Sequence, residues 1–275
     1  MIGNKQEITT GNESTNIQAN KITVIQQNNL NYQEVRQVAM DVFKSNFYDI
    51  GDKATQVATK RAEEIINKYI EELQKKSPLS IQNTQDPDVR YSLYEAQKSY
   101  ARDGNIKKSE LLVNLLVERT AIKQHSFETI VLNEALITVP KLTLEQINIL
   151  SLIFIVKNIY LENDPPFEFY YDTFFDKYLD TIEIPDGRMF YEYLVYVGCI
   201  TVERYTEKLK PSIEQFNSGP NFSSFPKLVR LEHSWDISPI SHSSLSPVGI
   251  AIAISNLKAK LEIEDLVALN DYLVD

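Results

Sequence analysis

Four carboxylates recur at four-residue intervals in one short stretch: Glu168, Asp172, Asp176 and Asp180. On a regular α-helix that spacing aligns them as a slowly drifting acidic stripe. Like charges so placed cost an isolated helix about a few tenths of a kcal/mol per pair. Such a row can collect Mg²⁺ or Ca²⁺, or it can meet a basic partner. Hard-cation sites usually converge from several segments, and a solvated helix face explains the same row without a ligand. A second set of reactive types is gathered near the C-terminus: His233 and His242 flank Ser234, Asp236 and Ser241, with Ser243 one residue beyond. These are the ingredients of a Ser-His-Asp arrangement, but no G-x-S-x-G elbow accompanies them. A polar loop anchored by Trp235 accounts for them as well. Cys199, between Gly198 and Ile200, reads as a small buried hydrophobe, and His125 as a surface neighbour of a helix start. No P-loop, dinucleotide fingerprint, HExxH or EF-hand sequence is present, and no cofactor is expected.

The elements that must carry these residues are mainly helical. Asn31, with Glu34 three residues on, predicts a helix start whose apolar face holds Val35, Val38, Ala39, Val42, Phe43 and Phe47. A longer helix is expected over Asp52 to Lys76, its face built from Ala54, Val57, Ala58, Ala62, Ile65, Tyr69, Ile70 and Leu73. Ser77 to Gln85 reads as a linker. Asp86-Pro87 then opens a helix, and further helices are predicted over Lys107 to Lys123, Ser126 to Val139 and from Thr143/Gln146 to Tyr160. After Asp164-Pro165-Pro166 comes an aromatic-rich helix with Phe167, Phe169, Tyr170, Tyr171, Phe174, Phe175 and Tyr178. That set would stack bases in a single-stranded groove, but Lys177 is its only interleaved cation, and core packing is the simpler use. Met189 to Val197 predicts a helix, Ile200 to Tyr205 a strand, and Pro211 to Ser244 an irregular stretch. Apolar Ile250 to Lys260 and Glu262 to Leu273 complete the helices.

Helix, Gly-Cys-Ile turn, β-prone wing and Leu-Ser-Pro-Val-Gly entry follow one another in winged-helix order. The expected fold class is therefore mainly α. It has a short polar N-terminal β module (residues 1–30), a multi-helix body (31–163) and a winged-helix-like C-terminal region (164–275). The β module is read from Ile8, Ile17, Ile22 and Val24 among turn-forming Asn and Gly. It is too poor in apolar groups to bury a core of its own.

Charge and composition narrow the function classes. A net charge of −10 and a pI near 5.0 repel phosphate backbones, so nucleic acid is not an expected partner. One cysteine excludes an internal disulfide and fits a reducing compartment. No stretch approaches the roughly 20 apolar residues of a bilayer span, and Met1 to Asn20 lacks a signal-peptide core. A cytoplasmic, membrane-independent protein is expected.

The segments GNESTNIQANKITVIQ and NYQEVRQVAMDVFKSNF resemble an uncharacterised family of bacterial proteins. Its members join an Asn/Gln-rich β segment to a helix of the pattern Tyr-x-Glu-Val-Arg-x-x-Ala-x-Asp-Val-Phe, here Tyr32 to Phe43. The later segments VLNEALITVPKLTLEQINILSLIFI and LSPVGIAIAISNLKAK are similar in style to abortive-infection-associated proteins. That resemblance implies a phage-defence setting and no catalytic residue.

Together these features predict a non-enzymatic binding or regulatory protein, a homo-oligomer with a protein partner. Self-association is expected through Ile8, Asn12, Asn16, Ile17, Gln18, Ile22 and Val24, where polar edge strands stack backbone ladders and side-chain amides between copies. The alternatives are a metal-dependent enzyme or toxin-like effector built on the acidic stripe, and an acidic mimic of nucleic acid that occupies a basic protein.

Overall fold

Asn31 and Glu34 exchange hydrogen bonds across the first helical turn. The Glu34 amide donates to Asn31 Oδ1 at 2.9 Å, and the Asn31 amide to Glu34 Oε2 at 3.0 Å. This reciprocal cap satisfies amides that a helix start leaves without partners and opens α1 (Tyr32–Asn46). The structure, a computed structural model, describes residues 31–46, 52–159, 166–214, 221–261 and 269–273. The N-terminal β module, with all seven of its proposed association residues, lies outside them.

Local capping chemistry starts the next helices as well. α2 (Asp52–Lys76) is followed by α3 (Pro87–Asp103), where the Asp86 carboxylate accepts from the Asp88 amide at 2.8 Å. Asn105 caps α4 (Ile106–Ala121). Reciprocal boxes at Ser126/Thr129 and Thr143/Gln146 open α5 (Phe127–Thr138) and α6 (Leu144–Lys157). The chain continues through α7 (Phe167–Tyr170), α8 (Arg188–Tyr196), β1 (Ile200–Val202), α9 (Leu209–Glu214), α10 (Pro226–Ile237), β2 (Ser243–Leu245) and α11 (Pro247–Leu261). β1 and β2 pair antiparallel, with Ile200 opposite Leu245 and Val202 opposite Ser243.

α6 and α11 are apolar on all sides, which a helix tolerates only when surrounded. Ile147 to Val156 and Ile250 to Leu257 are accordingly buried except for the half-buried Asn148. α11 packs against α4, α5 and α6, so one hydrophobic cluster runs from Val35 in α1 to Leu269. Polar side-chain atoms inside it are paired, as burial requires, with Gln97 Oε1 the one exception among the described residues. Ser255 Oγ donates to the Leu111 carbonyl at 3.2 Å, and Asn256 Nδ2 donates to Ser151 Oγ at 2.8 Å and to Tyr178 Oη at 3.1 Å. No helix among the described residues is long and apolar enough to cross a membrane.

Several stretches differ from the sequence reading. Pro78–Gln85 forms 3-10 turns rather than a linker. It is docked by Asn83 Nδ2, which donates to the Thr120 carbonyl at 2.8 Å, and by buried Ile81 and Thr84. Part of the expected irregular region is α9 and α10, because Leu228, Leu231 and Trp235 share a helical face that finds the core. The aromatic helix is interrupted: α7 passes into a π turn at Tyr171–Asp176 and a 3-10 turn at Leu179–Thr181. The wider turn accompanies burial of two adjacent aromatic rows, Tyr170/Phe174/Tyr178 and Tyr171/Phe175. The predicted strand also stops at Val202, three residues early. Of the expected last helix, residues 262–268 lie outside the described set, and Leu269–Tyr272 is a 3-10 turn.

Candidate protein-docking face

α8 divides cleanly. Tyr191 and Leu194 enter the core, and the Tyr191 hydroxyl donates to the Pro185 carbonyl at 2.9 Å. Burial pushes that phenol up to about 12, against a smaller downward pull from Ser238. On the other side Met189, Tyr193 and Tyr196 stand in an outward row at the i, i+4, i+7 spacing of one helical face, with Met189 76% and Tyr196 84% exposed. The helix ends where Gly198 adopts φ +75° and the Cys199 amide donates to the Leu194 carbonyl at 2.9 Å.

That turn delivers the chain into β1, which pairs with β2, and the segment after β1 is stitched back onto the body. The Glu203 amide donates to the His242 carbonyl at 2.7 Å and the Glu207 amide to the Ser241 carbonyl at 2.9 Å. Trp235 Nε1 donates to the Glu207 carbonyl at 2.8 Å. Lys157 Nζ, on an almost fully buried side chain, pairs with Glu207 Oε2 at 3.0 Å. Held this way, the wing turns Val202 and Tyr205 outward, 62% and 61% exposed. The charges here balance: Arg188 Nε bonds Glu192 Oε1 at 2.7 Å, and Glu203 adjoins Arg204. The surface is therefore apolar, aromatic and close to neutral.

The residues singled out for chemistry are arranged differently. Glu168 and Asp172 are exposed, while Asp176 and Asp180 both turn to Lys227 of α10. Its Nζ lies 2.8 Å from Asp176 Oδ1, 2.7 Å from Asp180 Oδ1 and 2.7 Å from the Asp176 carbonyl. The hydrogen bonds to Asp176 and then Asp180 hold that amine above its ordinary pKa. The π turn breaks the regular spacing that a single stripe needs. Among the described residues no group of three or more His, Cys, Asp or Glu side chains is disposed to hold a metal ion.

The Ser-His-Asp ingredients are occupied with the backbone. Asp236 Oδ1 accepts from the Leu209 amide at 3.0 Å, Ser241 Oγ donates to the Ser238 carbonyl at 2.9 Å, and Ser243 Oγ donates to the Pro239 carbonyl at 3.0 Å. His242 sits between Thr206 Oγ1 and the Tyr205 carbonyl, 3.2 Å from each. Cys199 is fully buried, and burial raises its thiol to about 12. The aromatic set of residues 167–178 is largely internal, with Tyr171 and Phe167 packed on Phe225 at ring separations of 4.5 and 4.9 Å.

Sequence reasoning found α8 but missed its exposed row. The signal was present in the spacing of Met189, Tyr193 and Tyr196. Nothing local, however, tells that row from the opposite Tyr191/Leu194 face.

No curated protein and no solved structure matches the chain, and the likeness to abortive-infection proteins finds no support. A model of an uncharacterised protein family matches residues 29–219. The match takes in the Tyr32–Phe43 signature, α8 and β1. With most of its length so matched, the chain belongs to that uncharacterised family.

Proposed function

We propose that this is a non-enzymatic binding or regulatory protein that docks a protein partner on α8 and the β1 wing of a winged-helix-like end. The observation that carries the reading is the outward Met189/Tyr193/Tyr196 row beside Val202 and Tyr205. Tyrosine and methionine are enriched at protein interfaces, and an i, i+4, i+7 row supplies the anchors with which a helix seats in an apolar groove. The occupant is a protein offering such a groove. A duplex would need net positive charge on this face, whereas Arg188 is already paired with Glu192. The buried single cysteine fits a cytoplasmic setting. Self-association through Ile8, Asn12, Asn16, Ile17, Gln18, Ile22 and Val24 is part of the same reading, because several docking faces in one assembly add avidity.

The test places a photo-crosslinking residue at Tyr196 in the full-length protein and, as a control, at Gln124 outside this face. One stoichiometric host protein crosslinks from Tyr196 and not from Gln124. Met189→Ala combined with Tyr193→Ala removes it while the helical circular dichroism is unchanged. Equal crosslinking from both positions, or capture that survives the double variant, overturns the docking face. Light scattering on a chain lacking Met1 to Asn29 tests self-association separately, and an unchanged mass refutes it.

A further inference from the structure

Ile182, Glu183 and Ile184 join the 3-10 turn at Leu179–Thr181 to the segment that enters α8. Ile182 is extended, at φ −110° and ψ 123°, and Ile184, which precedes Pro185, is biased the same way. Exposure alternates as it does along a strand: Ile182 and Ile184 pack against the core, and Glu183 stands in solvent. The strand conformation has no strand beside it. The amides and carbonyls of Glu183 and Ile184 have no hydrogen-bond partner among the described residues. Successive residues of an extended chain aim these groups to opposite sides, so both edges are open.

Across an open groove of about 490 Å³ stands α10, which contributes Lys227, Arg230, Leu231 and Ser234 to the lining. Lys227 is taken up by Asp176 and Asp180. Arg230 on the helix side and Glu183 on the extended side are exposed, and neither forms an ion pair among the described residues. A free backbone edge facing a helix across a cleft suits one mode of peptide recognition, in which main-chain bonds supply affinity and alternate side chains supply specificity. We propose that an extended segment of another protein adds here as a β-strand. Alternate apolar side chains of that segment lie toward Ile184 and Leu231, an acidic residue meets Arg230, and a basic residue pairs across the strands with Glu183. Water meets the open edge in the free protein, and the added strand replaces it with a ladder. The site uses none of Met189, Tyr193 and Tyr196 and does not depend on the docking reading.

The probe is a phage-displayed library of random dodecapeptides, selected on the full-length protein and counter-selected on its Arg230→Glu variant, whose exposed position spares the fold. Enriched sequences alternate apolar with polar residues and carry an acidic one. In fluorescence anisotropy, the leading peptide binds Arg230→Glu about tenfold or more weakly than wild type, because the change sets like charges together. Replacing the acidic residue of the peptide by Lys restores binding to that variant. Methylating the peptide amides one at a time weakens binding at every second residue, since only alternate amides of an added strand face the edge. Met189→Ala combined with Tyr193→Ala leaves the affinity unchanged. Failure to enrich any peptide, equal affinity for wild type and Arg230→Glu, a methylation profile without that period of two, or lost binding in the α8 double variant overturns the proposal.

Discussion

Gly249 approaches the chain at Cys199 so closely that a Cβ built on it would stand 2.0 Å from the Cys199 carbonyl oxygen. Ser246 sets up the approach. Its amide donates to that same carbonyl at 3.0 Å, its Oγ donates to the Gly198 carbonyl at 2.5 Å, and its Oγ accepts from the Gly249 amide at 3.1 Å. The turn that ends α8 and the first turn of α11 are thereby pinned together. The β1–β2 pairing and the outward face of α8 are positioned by that joint.

Gly249→Ala should consequently destabilise the protein by roughly 2 kcal/mol or more, at the upper end of overpacking costs, because the obstacle is backbone. Gly198→Ala has open space around its new Cβ and meets only the left-handed backbone penalty, about 1 kcal/mol. Urea unfolding of the two variants gives the ranking. The reverse order would contradict the joint.

Arg119, with 4% of its side chain accessible, is held by Asp88 Oδ2 at 2.5 Å, Asn133 Oδ1 at 3.1 Å and the Ile122 carbonyl at 3.3 Å. Burial would raise the Asp88 carboxyl, but the hydrogen bonds from Arg119 and Asn133, with the Arg119 charge, outweigh it and hold the group below its ordinary pKa. A carboxyl depressed on folding contributes stability above its unfolded pKa of about 4, and that stability is lost as pH falls through the lower folded value. Asp88→Asn should cost about 1–2 kcal/mol near neutrality, a buried-pair loss discounted for the partial exposure of Asp88. It should also flatten the acid limb of the stability profile. Parallel acid limbs for wild type and variant would refute this assignment.

Trp235 is the protein's one tryptophan, so its emission reports directly on the stitching of the wing. Glu207→Ala removes the counter-charge of the buried Lys157 ammonium, leaving it the Ser241 carbonyl at 3.4 Å, and loosens the segment whose carbonyl receives Trp235 Nε1. Emission should shift to the red, and stability should fall by about 1–3 kcal/mol, less than for a fully buried pair because Glu207 is partly exposed. An unmoved spectrum at unchanged stability would show that the ion pair does not hold the wing.

Lys227 acts as a tethered cation between Asp176 and Asp180. Lys227→Met should lower the Tm, more strongly at low salt, since these charges are near solvent and screened. A lysine raised on folding contributes stability below its ordinary pKa, and that stability is lost as pH rises through the folded value, so the alkaline limb of the wild type should be the steeper. Millimolar Ca²⁺ should leave the wild-type Tm unchanged, because the ammonium already lies between the carboxylates. A rise would put the metal-dependent reading ahead.

The features legible in the residue order alone are local or periodic. The caps at Asn31/Glu34, Asp86-Pro87, Ser126 and Thr143/Gln146 act within a few residues, so they are legible without knowledge of the rest of the chain. The all-round apolar stretches in α6 and α11 likewise named the buried helices. Features that depend on distant partners emerge only once the chain is packed. Asn83 reaches Thr120 to dock the supposed linker, Trp235 reaches Glu207 across the expected irregular region, and Lys227 reaches Asp176 and Asp180 after a π turn has broken their regular spacing. The α8 row shows the division within nine residues. Its spacing is written in the sequence, but Met189, Tyr193 and Tyr196 face outward because Tyr191 and Leu194 found the core. Which side of a helix is buried is set by packing among segments far apart in the chain.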